Sequence, residues 1–158
     1  MKFQKAVLEY RLQKGKEHYV PIYHYPEIEL EQILARRECE FFVKDGVTYK
    51  QLSSAIEDDL FIIYLEIHEE NPIEKERPSQ EGIALEIREL NSIRDHPLIT
   101  SEHFTNHIDV LSIIGSVYTY YNGMEWERDS AEIDEDRQVY ILYMTSTGYQ
   151  LSAQGDET

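Results

Sequence analysis

The hydrophobic pattern predicts an α+β protein made of two tandem β-β-α-β-β-β repeats of about 77 residues, packed as a pseudo-dimer. Two observations carry that expectation: a match of the chain to itself at a constant offset, and the same turn chemistry at corresponding places. At an offset of 77, Leu8-Glu9-Tyr10-Arg11 falls on Leu85-Glu86-Ile87-Arg88, Asp45-Gly46 on Asn122-Gly123, and Tyr49 on Trp126. Without a gap, Ser53 meets Ser130, Ile56 meets Ile133, Glu57-Asp58-Asp59 meets Asp134-Glu135-Asp136, and the run Leu60 to Leu65 lies on Arg137 to Leu142. Pro21-Ile22 matches Pro97-Leu98 with a slip of one residue.

The elements follow in order. Residues 3–12 alternate, with Ala6, Leu8, Tyr10 and Leu12 on one face, and read as a strand. Gly15 marks a turn into a second strand over 18–24, where Pro21 suits a sheet edge. Pro26 stands where a helix would open; acids lead that helix and Arg36 and Arg37 close it, which complements the macrodipole. Asp45-Gly46 is a strong hairpin signal, so 39–44 should pair with 47–51. Residues 60–68, LFIIYLEIH, read as a well-buried strand.

The second half follows suit. Residues 83–90 form its first strand, although Ile83, Ile87, Leu90 and Ile93 also fit a helical stripe. A helix is expected over 101–114, stopped by Gly115; Asn122-Gly123 joins a second hairpin, and 137–145 is the closing strand. The expected organisation is a first repeat over 1–70, a charged linker over 71–81 with two prolines, a second repeat over 82–147 and a tail over 148–158. The element order is compatible with a ubiquitin-like β-grasp. A unit this small is marginal alone, hence the expected packing of one copy on the other.

Charge narrows the function classes. The chain holds 31 acids against 15 basic residues, a net of −16. Nucleic-acid backbones and anionic membranes attract Lys/Arg patches, so both would repel this chain. The imbalance is lopsided: residues 1–77 carry 16 acids and 11 bases, residues 78–158 carry 15 acids, 4 arginines and no lysine. A single cysteine, Cys39, forms no internal disulfide and suits a reducing, cytoplasmic setting. It reads as a small half-buried residue. No run of 18 apolar residues spans a membrane.

No nucleotide, hydrolase or metalloprotease motif occurs, and no cofactor is implied. His103 and His107 would lie one turn apart on the expected helix, beside Glu102, which suggests a metal or small-ligand site in a cleft between the repeats. Against it, His107 aligns with Leu30 and replaces a residue of an apolar stripe. The second hairpin offers a different site. Its pairing puts Val117, Thr119, Tyr121, Met124 and Trp126 on a core face, and Tyr118, Tyr120, Glu125 and Glu127 on the other. Aromatic anchors among acids suit a basic protein partner. The leading expectation is therefore a non-enzymatic protein-binding module, a regulator, adaptor or inhibitor whose acidic second repeat engages a basic partner. A homo-oligomer is compatible with the sequence.

Overall fold

A computed structural model describes residues 4–74, 76–78 and 80–151. Among these residues ten strands form one mixed sheet with two helices, an α+β arrangement. The first half contains β1 (Lys5–Gly15), β2 (His18–Glu29), α1 (Leu30–Arg37), β3 (Phe41–Lys44), β4 (Val47–Glu57) and β5 (Leu60–Glu70). The second contains β6 (Ile83–Glu89), a 3-10 turn (Ser92–Arg94), β7 (Leu98–Phe104), α2 (His107–Ile114), β8 (Tyr118–Tyr121), β9 (Met124–Asp134) and β10 (Val139–Gln150). The strand order is β2-β1-β5-β4-β3-β9-β10-β6-β7, with β8 paired to β9. None of the described helices is long and apolar enough to cross a membrane.

Each half pairs its first strand antiparallel with its second and parallel with its last, and the last three strands form a meander. Irregularities coincide as well. The β1·β2 ladder shifts register after Tyr10, and β6·β7 shifts after Ile87. In β4 the ladder skips Leu52, and in β9 it skips Asp129. Beside those bulges the Gln51 side chain donates to the Arg37 carbonyl, and Arg128 Nε donates to that of Ile114.

The hairpins form because Asp45-Gly46 and Asn122-Gly123 all take positive φ (53°, 76°, 56° and 75°), as a type I′ turn requires. A Cβ on Gly46 would meet the Asn71 carbonyl oxygen at 2.6 Å, so only glycine fits there.

Several expected boundaries move. Pro26 opens no helix: β2 continues to Glu29, and Pro26 and Glu27 bulge opposite Val7 on the outermost strand, where proline's missing N–H interrupts little. The helix expected over 101–114 divides into β7 and α2. Residues 98–104 complete a ladder with β6, and Asn106 then caps α2 by accepting from the Asp109 amide at 3.0 Å. Two alignments shift. Pro21 occupies the register of Leu98, not Pro97, and Leu60–Leu65 occupies that of Val139–Met144, because the β9–β10 turn is longer than the β4–β5 turn. Beyond Glu70, the described residues between 71 and 82 form no regular element, and β10 runs on to Gln150; residues 152–158 of the expected tail lie outside the described residues.

Both helices lie on one side of the sheet and touch each other. One core joins the halves: Leu8, Tyr10, Ile33, Phe42, Ile63 and Leu65 from the first, Leu85, Ile87, Val110, Ile114, Leu142 and Met144 from the second. Across the seam β3 pairs parallel with β9. Polar clamps reinforce it. Arg128 grips the Glu40 carboxylate with two donors at 2.7 and 2.9 Å, and Asp136 accepts from the Asp45 and Gly46 amides at 2.8 and 2.9 Å.

Candidate functional site

Strand alternation separates two surfaces of very different charge. On β9, Ala131, Ile133 and Trp126 pack in the helix-side core. The intervening Glu125 and Glu127, and past the bulge Glu132 and Asp134, therefore project to the side without helices. On that side an open hollow of about 590 Å³ is lined by Glu69, Glu74, Asp95, Glu132, Asp134 and Asp136, with Tyr143, and by no basic residue among those described. A contiguous hollow of about 410 Å³ adds Glu86 with Arg88 and Arg137, and both arginines are engaged by Glu86.

Those carboxylates differ in state. Glu86 lies below the usual carboxylate range: burial alone would raise it, but the hydrogen bond and charge of Arg137 prevail. At Glu132, burial and then the neighbouring Asp134 carboxylate outweigh the charge of Arg137 and push it up to about 7. Asp134 is raised too, chiefly by burial. Near neutral pH the hollow thus holds negative charge at an electrostatic cost.

The Asn122-Gly123 hairpin is continuous with this side of β9. Its pairs are Tyr118 with Glu127, Thr119 with Trp126, Tyr120 with Glu125, and Tyr121 with Met124, the register read from the sequence. Tyr118 and Tyr120 are exposed (51% and 45%), as is Glu127. The Tyr120 hydroxyl donates to Glu125, which also accepts from Thr147 Oγ1 at 2.8 Å, and these two bonds hold the carboxyl below its ordinary range. Val117 departs from the expected core face and is 55% exposed, since β8 begins only at Tyr118.

The residues expected to ligate a metal do not converge. Glu102 pairs with the core residue Leu85, and His103 with Ala84, so adjacent residues of β7 point to opposite sides of the sheet. His107 is the first residue of α2. The one-turn spacing of the two histidines required a helix that is absent there. Among the described residues no three His, Cys, Asp or Glu side chains could hold a metal ion together. Cys39 is buried rather than half-buried, and burial pushes its thiol up and away from reactivity.

His107 instead belongs to a cleft of about 510 Å³ on the helix side, which the sequence did not reveal. Gln32 and Arg36 of α1, Lys44 of β3 and Tyr140 of β10 line it with His107, and Glu135 and Gln138 contribute from the β9–β10 turn. Arg36 is only 5% exposed; it donates to Gln32 Oε1 (3.1 Å), Tyr10 Oη (3.2 Å) and Glu135 Oε1 (3.0 Å) and lies over the Tyr25 ring. Glu135 also takes the Tyr25 hydroxyl and sits 3.7 Å from Lys44 Nζ. Burial, then the Arg36 charge, lower His107 to about 4, so the imidazole is neutral at ordinary pH. Arg36 carries the one available sequence signal: it follows the buried Ile33 by three positions, on the apolar stripe rather than merely at the helix end.

No protein-family model, curated protein or solved structure matches the chain.

Proposed function

We propose that the protein is a non-enzymatic binding module that docks a basic protein segment on the helix-free, acidic side of its second half. The observation that carries this reading is the hollow lined by six carboxylates and, among the described residues, no basic side chain, on the same side as Tyr118, Tyr120, Glu125 and Glu127. A lysine or arginine entering the hollow would relieve the mutual repulsion of Glu132 and Asp134, and the exposed tyrosines supply flat anchors further along β9 on the same side. The partner's charge follows from the field; a nucleic-acid backbone and an anionic membrane are disfavoured by the same field.

The reading is tested with a fluorescent arginine-rich peptide at low and moderate salt. Glu125→Lys/Glu127→Lys should slow association by roughly tenfold at low salt, whereas Glu17→Lys/Glu27→Lys, equal in charge but on the β1–β2 edge, should slow it less than about twofold. Equal slowing by both pairs would mean that only net charge matters, and the assigned surface would be wrong.

Within the same proposal the halves derive from tandem copies packed as a pseudo-dimer, supported by their matching pairings and bulges. Parallel pairing of first and last strands, bridged by hairpin and helix, supports a β-grasp-like unit. The buried, unpaired Cys39 supports residence in a reducing compartment such as the cytoplasm.

A further inference from the structure

We propose that the helix-side cleft between α1 and α2 binds a small oxyanion, a carboxylate or a phosphate group, through Lys44, His107 and the Tyr140 hydroxyl. The cleft stands apart from the acidic side, on the opposite face of the sheet. In a chain of net charge −16 its lining gathers Arg36, Lys44 and Arg77 against the carboxylate of Glu135, with Glu31 of α1 near enough to act on His107. Glu135 is already engaged by Arg36, Lys44 and Tyr25, so the lining keeps an excess of positive charge.

Two buried polar atoms there lack a hydrogen-bond partner among the described residues. Tyr140 is 3% exposed, and its hydroxyl has no hydrogen-bond partner among the described residues; neither has the buried Nδ1 of His107. The rings meet edge to face at 5.8 Å, and both residues line the cleft. A buried hydroxyl without a partner costs about 1–3 kcal/mol, and native cores rarely keep one without a use.

The corresponding place, where the two halves exchange roles, shows what the fold itself needs there. At matching register, Leu30 stands for His107, Phe61 for Tyr140 and Ile113 for Arg36. There the sheet and helices close with apolar side chains. The polar set on the other side is therefore not required by packing. Its donors, its positive excess and a volume of about 510 Å³ fit a compact anionic ligand.

The full-length protein should be titrated with inorganic phosphate and with acetate at constant ionic strength, using chloride as the control anion and following the His107 imidazole by NMR. We expect saturation by at least one oxyanion with a Kd below roughly 10 mM. Saturation by phosphate alone or acetate alone identifies the preferred group. Tyr140→Phe should weaken binding at least about fivefold while keeping or raising Tm, because it removes only the unpartnered hydroxyl. Lys44→Ala, on a partly exposed side chain, should weaken it similarly and decides the matter if Tyr140→Phe folds poorly. Absence of saturation, a response equal to that of chloride, or wild-type affinity in Lys44→Ala would overturn the proposal.

Discussion

Replacing Glu132 by glutamine should stabilise the protein at neutral and alkaline pH and do little in acid. Glu132 is raised from 4.5 to about 7 by burial and by Asp134. With the folded value above the unfolded one, its contribution is fully favourable below about pH 4.5 and is lost as pH rises through about 7. The shift corresponds to about 3 kcal/mol at 1.36 kcal/mol per unit, and water reaching the open hollow reduces this to about 2 kcal/mol. Glu132→Gln keeps the shape and removes the charge. Urea unfolding at pH 4.5, 6 and 8 should give a stability difference near zero at the lowest pH, growing to about 2 kcal/mol in favour of the variant at the highest. A pH-independent difference, or a loss of stability at pH 8, would refute the idea that the hollow confines a carboxylate whose burial is only partly offset.

His107→Leu tests the opposite slope: the histidine is lowered from 6.5 to about 4, so wild-type stability is complete above about pH 6.5 and lost as pH falls toward 4. The variant should gain about 2 kcal/mol over wild type near pH 4.5 and change little at pH 7.5, measured by the same unfolding series. Arg128→Ala breaks the clamp on Glu40 and on the Glu38 and Ile114 carbonyls, and should cost about 3 kcal/mol by chemical denaturation. Arg128→Gln should recover about half of that, because Gln51 makes the corresponding carbonyl contact in the other half. Gly46→Ala should cost about 2 kcal/mol or more in thermal unfolding, since φ is +76° and the new Cβ would meet the Asn71 oxygen at 2.6 Å.

What the sequence made legible was local and periodic. Asp45-Gly46 and Asn122-Gly123 announced two hairpins and the register of the second, because a two-residue I′ turn leaves no freedom in the pairing that follows. The apolar run from Leu60 announced a buried strand, and Ile62, Ile63 and Leu65 are buried. Helix starts were harder. Pro26 suits the first turn of a helix and also a bulge on an edge strand, and tertiary position decided between them. His103 and His107 fit a helical period only if the chain does not reverse character between them, and the Asn106 cap, which marks that reversal, is a one-residue signal. The hollow and the cleft were illegible for another reason. Glu69 and Asp95 reach Glu132, and Arg36 and Lys44 reach His107 and Tyr140, only through the folded sheet.

The central claim, that a basic segment docks on the helix-free acidic side, is tested most directly by backbone amide shift mapping of an arginine-rich peptide on the labelled protein. Docking there predicts perturbations confined to β8, the adjoining parts of β9 and β10, and the surroundings of Glu69, Glu132 and Tyr143. Shifts spread over both sides of the sheet in proportion to local acid content, or centred on α1 and α2, would contradict it.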